Sequence, residues 1–303
     1  MLWVAYSGGL LSESTSSENQ SQSNNGGSTT QSSSANSHAT PKVVASFFPL
    51  YDFVKKVGGN KVNVTTMVPV GVEPHDWEPT AQQIQNLLSD DLFIYNGDGI
   101  DNWADKIETR LKVDASEGLP LLTDNHGNPD PHTWLDPLLA KRQVELIRNG
   151  LIKADPQNTD YYIQNARSYM EQLDSLDIMI KSDLLNCSKT DFIAFHSAFS
   201  YFANRYGLHQ HTILGADPEG EIQPQTLVQL VNFAKQYGIH IIYSEDLLDP
   251  RNTETIANEI PNGKVLVLSP IEGINQDEQH AGTGYLEKMQ QNLENLKLGL
   301  DCK

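Results

Sequence analysis

The sequence predicts an α/β protein: two Rossmann-like lobes with parallel sheets, joined by one long rigid helix. Three observations carry this expectation. Short β-branched runs alternate with helical stripes from Val43 onward, which is the rhythm of a parallel sheet covered on both faces. An apolar stripe then recurs at steps of three and four from Tyr162 to Leu184, uninterrupted by Gly or Pro. The β/α alternation restarts at Phe192 and runs to the C-terminus.

In chain order, Val43–Phe47 reads as a strand, followed by a helix ending near Gly58 and Gly59. Val62–Val68 is the next strand. Thr80 to Gln83 carries a capping-box pattern, and Ile84, Leu87 and Leu88 form the helical stripe behind it. Leu92–Tyr95 reads as a buried strand, Trp103 to Arg110 as a helix, and Pro120–Leu122 as a last short strand. Asp155 and Pro156 make an N-cap with proline at the first helical position. The helix they open should reach Leu185, roughly 45 Å at the α-helical rise, long enough to act as a strut. In the second half Phe192–Phe195, Thr212–Leu214, His240–Tyr243 and Val265–Leu268 read as strands. Helices are expected up to Tyr206, from Pro224, near Thr253–Glu259 and over Tyr285–Leu300.

Composition sets the boundaries. From Ser12 to Thr40 the apolar residues are Ala35 and Ala39 alone, so this stretch cannot bury enough surface to offset its ordering entropy. Residues 1–41 are therefore expected to be a truncated signal or anchor remnant (Met1 to Leu11, apolar but too short to span a bilayer) followed by a disordered tether. The remainder divides into an N-terminal lobe over 42–155, a linking helix over 156–186 and a C-terminal lobe over 187–303. A formal net charge of −18 argues against nucleic acid, which requires clustered Lys and Arg. The same charge is compatible with a cation, although solubility alone would account for it. The two cysteines, Cys187 and Cys302, form no CxxC pair. They are either free thiols or a disulfide closing a long loop.

Four candidate metal ligands fall at the carboxyl ends of expected strands, the edge where open parallel sheets bind ligands. His75 follows Val62–Val68, His132 follows the strand expected near Leu121, His196 follows Phe192–Phe195, and Glu272 follows Val265–Leu268. Each lobe supplies two, so facing lobes would bring all four to the cleft. Three imidazoles and a carboxylate suit a tetrahedral divalent ion and favour Zn²⁺ over Mn²⁺, which wants more oxygen. A four-ligand protein site leaves no position for water to be activated, which argues for binding over catalysis. Taken singly, a loop histidine is ordinarily a surface or hydrogen-bonding residue, and these spacings are too long for a local metal motif. Glu245 is a second candidate for the fourth position, as is a water.

From Val43 to Cys302 the chain resembles the metal-specific solute-binding proteins of ABC importers, the ZnuA/TroA/AdcA group of cluster A-I. The phrases that carry the resemblance are Phe47-Phe-Pro-Leu-Tyr51, Pro74-His-Asp-Trp-Glu-Pro79, Tyr95-Asn-Gly97, Asp130-Pro-His-Thr-Trp-Leu-Asp136, Phe195-His-Ser-Ala-Phe-Ser-Tyr-Phe202 and Arg205-Tyr-Gly-Leu208. The resemblance implies that His75, His132 and His196 bind metal, that a histidine in the third place points to zinc, and that Glu272 completes the set. It also implies a Cys187–Cys302 disulfide, an extracytoplasmic, cell-surface location, a tether to the membrane through the N-terminus, and an ABC permease as partner to a monomer. Trp77, Trp103 and Trp134 are expected to pack the lobes together, and Asp76 and Asp136 to accept from imidazoles. His209, His211 and His240 are read as surface or packing residues, and Glu221 as a possible contact for the cleft or the transporter. The His-rich loop common in zinc importers shrinks here to Thr123–Pro129 with one histidine, His126.

Three readings compete on this sequence. The leading one is a zinc-capturing protein that feeds an importer, with a manganese-binding protein of the same type as its variant. A surface adhesin holding a structural metal is the second. A metallohydrolase is the third, and no general base stands out beside an open site to support it.

Overall fold

A computed structural model describes residues 39–123, 127–215, 218 and 220–303. The tether expected over residues 1–41 lies outside these except for its last three, and His126 lies outside them too. The first sheet consists of β1 (Lys42–Ala45), β2 (Asn63–Thr66), β3 (Leu92–Tyr95) and β4 (Lys112–Asp114), all parallel, in the order β2-β1-β3-β4. The second repeats the plan with β5 (Asp191–Ala194), β6 (His209–Thr212), β7 (Ile241–Ser244) and β8 (Lys264–Val267) in the order β6-β5-β7-β8. Each lobe is thus a parallel α/β unit whose strand order reverses beside its first strand, the position that opens a crevice at the carboxyl edge.

Helices α1 (Phe48–Gly58) and α2 (Ala81–Leu87) belong to the first lobe. The Thr80 capping box forms, with the side chains and backbones of Thr80 and Gln83 satisfying one another. Helices α5 (Ser200–Tyr206), α6 (Pro224–Tyr237), α7 (Arg251–Asn258), α8 (Gln276–Ala281) and α9 (Tyr285–Gly299) belong to the second.

Between the lobes run two helices, of which the sequence reading named one. α3 (Pro137–Ala154) carries a buried stripe of Ala140, Val144, Ile147 and Leu151, and Asp136 caps it by accepting from the Leu138 amide at 2.8 Å. α4 (Thr159–Leu184) is the expected long helix, entered through a 3₁₀ turn over Pro156–Asn158. It is packed along its length: α4 lies against α1, α3 and α9. Its stripe from Tyr162 through Tyr169 and Ile180 to Leu184 joins a core that also holds Phe47 and Trp134 of the first lobe and Phe192, Tyr243 and Tyr285 of the second. A helix so embedded resists hinging, because any large lobe rotation would open apolar surface to water. Among the described residues no helix is long and apolar enough to cross a membrane.

Three local expectations are corrected. The fourth strand is Lys112–Asp114, not Pro120–Leu122. Val113 points inward against Gly150 of α3, while the Lys112 ammonium lies 4.4 Å from the Tyr95 ring centroid and donates to the Ala104 carbonyl. The helix expected from Trp103 to Arg110 is a single 3₁₀ turn, Ala104–Lys106, since the chain must be extended by Lys112 to pair with β3. In the second lobe β6 begins at His209 and ends at Thr212, where a strand over Thr212–Leu214 was expected. Cys187 and Cys302 form a disulfide.

Candidate metal centre

His132 stands in the loop between β4 and the 3₁₀ turn Thr133–Leu135, not directly after a strand. The Asp130 carboxylate, two residues back, accepts from the His132 backbone amide at 3.0 Å and from its ring Nδ1 at 2.7 Å. That grip sets the tautomer: Nδ1 carries hydrogen and Nε2 is left to face the cleft. The second lobe repeats the device with a partner distant in sequence. His196 follows β5, and Glu245, following β7, accepts from its backbone amide at 3.2 Å and its Nδ1 at 2.5 Å. Both rings are fully buried. His75 lies in the loop beyond β2, its amide donating to Glu73 Oε1 at 3.4 Å. Its side chain is 11% exposed against 0–1% for the other three, so solvent reaches the centre from its side.

Glu272 closes the set from beyond β8. Its Oε1 lies 2.9 Å from His132 Nε2, 3.2 Å from His75 Nε2 and 3.5 Å from His196 Nε2, and the His132 and His196 Nε2 atoms are 3.2 Å apart. The four ligand atoms all lie within 4.8 Å of one another. A regular tetrahedron with zinc-type bonds of about 2.0–2.1 Å has edges of about 3.3–3.4 Å, and the four contacts just given bracket that figure. The second Glu272 oxygen is buried and has no protein partner among the described residues. Bare imidazole lone pairs at this separation repel, so the arrangement calls for protons or a cation at its middle.

The electrostatics agree. Burial pushes the His132 ring down, but Asp130 and Glu272 outweigh it and raise its pKa. Burial likewise disfavours charge on His196, and Glu245 and Glu272 overcome it to hold the ring well above the ordinary histidine value. Glu272 is held well below the carboxylate range: burial opposes this, and His75, His196 and His132 prevail. Glu73 is pushed up to about 10, first by burial and then by facing Glu272 and Glu245. Four carboxyl groups thus surround three imidazoles, a field that attracts a divalent cation and, without one, retains protons.

Of the residues singled out from sequence, His75, His132, His196 and Glu272 come together. Glu245 holds the far side of the His196 ring. Asp136 and Asp76 do not touch the imidazoles. Asp136 caps α3 and pairs with Arg205, and Asp76 is exposed. The acceptors are instead Asp130, which an Asp-x-His spacing could have flagged, and Glu245, which no local pattern reveals. Glu73 also escaped the sequence reading. Trp134 ties the lobes, donating from Nε1 to the Pro270 carbonyl at 2.7 Å, while its own carbonyl accepts from the Tyr285 hydroxyl at 2.6 Å. Trp77 and Trp103 pack on each other within the first lobe, with Phe93 beneath. His209 and His211 of β6 pair with Asp191 at the start of β5, and His240 and Glu221 are exposed.

Two parallel-sheet lobes that share one core and enclose a three-histidine, one-carboxylate cluster define a two-lobed solute-binding protein with a metal-type cleft. The chain belongs to the ZnuA family, zinc-uptake complex component A, periplasmic, whose model matches residues 43–299. It is 35% identical over 281 residues to the high-affinity zinc uptake system protein ZnuA of Bacillus subtilis, covering 86% of this chain and 88% of that protein. Zn(II)-bound AdcA of Streptococcus pneumoniae superimposes with a TM-score of 0.78 at 32% identity, over 86% of this chain and 58% of that longer one. The laminin binding protein Lmb of Streptococcus agalactiae, described as a bifunctional adhesin and metal transporter, matches with a TM-score of 0.80 at 31% identity, over 86% of this chain and 99% of that one.

Proposed function

We propose that this chain captures Zn²⁺ outside the cytoplasm and delivers it to the permease of an ABC importer. The ion would bind His75, His132 and His196 through Nε2 and Glu272 through its carboxylate. The observation that carries this reading is the convergence of the four donor atoms within 4.8 Å of one another, with four of their six separations at 2.9–3.5 Å, about the edge of a zinc tetrahedron. Three nitrogens and one carboxylate favour Zn²⁺ over Mn²⁺. Asp130 and Glu245 keep two rings in the metal-binding tautomer, so little rearrangement is required on capture. With every tetrahedral position supplied by protein, the ion is cargo and no water is activated. In this reading residues 1–41 tether a monomer to the membrane, and 42–155, 156–186 and 187–303 act as lobe, linking helix and lobe.

The test is competitive titration of the full chain with Zn²⁺ and Mn²⁺ against a chromophoric chelator, repeated for His196→Ala. One tight equivalent of zinc, lost in the variant, supports the reading. Failure to bind either ion tightly removes it.

A further inference from the structure

Among the described residues four non-glycine positions have positive φ: Asp98, Asn262, Asp301 and Ile271. Asp and Asn visit this region readily, but a β-branched residue there is an outlier. Ile271, at φ 59°, is fully buried and immediately precedes Glu272. Strain of this kind persists where the surroundings over-determine the backbone, and here the pins can be named.

On the near side, Ser269 is fixed within its own lobe. Its amide donates to Asn292 Oδ1 at 2.8 Å, its carbonyl accepts from Asn292 Nδ2 at 2.7 Å, and its hydroxyl accepts from the Ile271 amide at 3.1 Å. The other two pins come from the opposite lobe. Trp134 Nε1 donates to the Pro270 carbonyl at 2.7 Å, and the Gly71 amide donates to the Ile274 carbonyl at 2.8 Å. A Cβ at Gly273 would come within 2.7 Å of Leu247 Cδ1, so a side chain there would require the end of Leu247 to shift. Glu272, Gly273 and Ile274 also line a groove of about 890 Å³ shared with α1 and β2, so the segment has unfilled space beside it.

Building on the metal-site reading above, we propose that Ile271 is a positioning residue whose left-handed backbone, held by the opposite lobe through Trp134 and Gly71, aims Glu272 at the ion and relaxes when the lobes part. Glu272 is then the ligand that reports closure. Slight separation at the cleft removes the pins on Pro270 and Ile274 but leaves Ser269 held. Ile271 returns to an ordinary conformation, and Glu272 withdraws from the ion. The strain lowers affinity in the closed state and hastens release.

The test compares Ile271→Gly with Ile271→Ala in the full chain. Both delete the side chain, but only glycine is at ease at positive φ. Zinc dissociation is followed by stopped flow into excess EDTA, and thermal unfolding is followed without metal. Zinc should leave the glycine variant roughly fivefold to thirtyfold more slowly than the alanine variant, the rate equivalent of the left-handed penalty on an L-residue. The metal-free proteins should unfold at similar temperatures. Equal release rates overturn the proposal. So does a difference confined to metal-free stability, because the strain would then be permanent. Should either variant fail to fold, Ile271→Asn and Ile271→Val pose the same comparison, with slower release expected from the asparagine variant. Glu272→Gln separates the two levels. Weakened zinc binding with equal glycine and alanine release rates removes only the role of Ile271, whereas unchanged zinc binding removes the site reading itself.

Discussion

Replacing Glu245 with Gln tests whether the carboxylate behind His196 tunes the metal site. Glu245 Oε1 accepts from both the amide and Nδ1 of His196, and both residues are buried. Glutamine retains a carbonyl acceptor of the same reach, so ring orientation survives while the negative charge is lost. Through the imidazole, the carboxylate would sit roughly 6–7 Å from an ion on Nε2. A unit charge there attracts a divalent cation by about 1 kcal/mol at the dielectric of water and about 5 kcal/mol at an effective dielectric of 20. Loss of such a histidine partner weakens metal sites about 10- to 100-fold, or about 1.4–2.7 kcal/mol, inside that bracket. The assay is chelator competition at pH 8 and again at pH 6. Because Glu245 raises the affinity of His196 for protons as well as metal, the gap between wild type and variant should narrow at the lower pH. Zinc affinities within twofold of each other at pH 8 would refute the reasoning, and a gap that widens at pH 6 would contradict the proton-competition half of it.

Proton linkage gives a second expectation. His132 and His196 are raised from 6.5, so their contribution to metal-free stability is present below that value and lost as pH rises through the folded pKa. Glu272 is lowered from 4.5, so its contribution is present above that value and lost as pH falls through the folded pKa. Metal requires the unprotonated rings, so the zinc-induced rise in Tm should grow from pH 5.5 to pH 8, with protons released on binding, as calorimetry in buffers of different ionisation enthalpy would show. A rise independent of pH would argue against imidazole ligands. Glu73, raised from 4.5 to about 10, contributes stability at low pH that is lost as pH climbs through that interval. Glu73→Gln should therefore flatten the metal-free stability profile between pH 5 and 9, and an unchanged profile counts against a protonated Glu73. The Cys187–Cys302 bridge spans 115 residues, for which the chain-entropy model gives about 5 kcal/mol. The Cys187→Ser/Cys302→Ser variant should melt roughly 9 °C lower by scanning calorimetry, and a shift under 2 °C would mean that the bridge constrains little.

Local patterns in the chain determined much of this protein. The stripe of α4, the Thr80 capping box and seven of the eight strands, in place or displaced by a few residues, are written in spacings of two, three and four residues, because helix and strand periodicity act over short distances. The stripe of α3, from Ala140 to Leu151, is equally local. The region of β4 was misassigned because a three-residue strand has too little pattern of its own, and pairing with β3 decides where it lies. The three histidines stood out through the phrases around them. What only the tertiary structure decided is the division of labour among the carboxylates. Glu272 meets His75 across 197 residues, Glu245 grips His196 across 49, and Asp136, two residues from Trp134, turns away to cap α3 and pair with Arg205. A carboxylate's role depends on which charges and donors lie within a few ångströms and how dry its surroundings are. Those neighbours are brought together by the packing of two lobes on one core, and no stretch of chain short enough to show a pattern contains them.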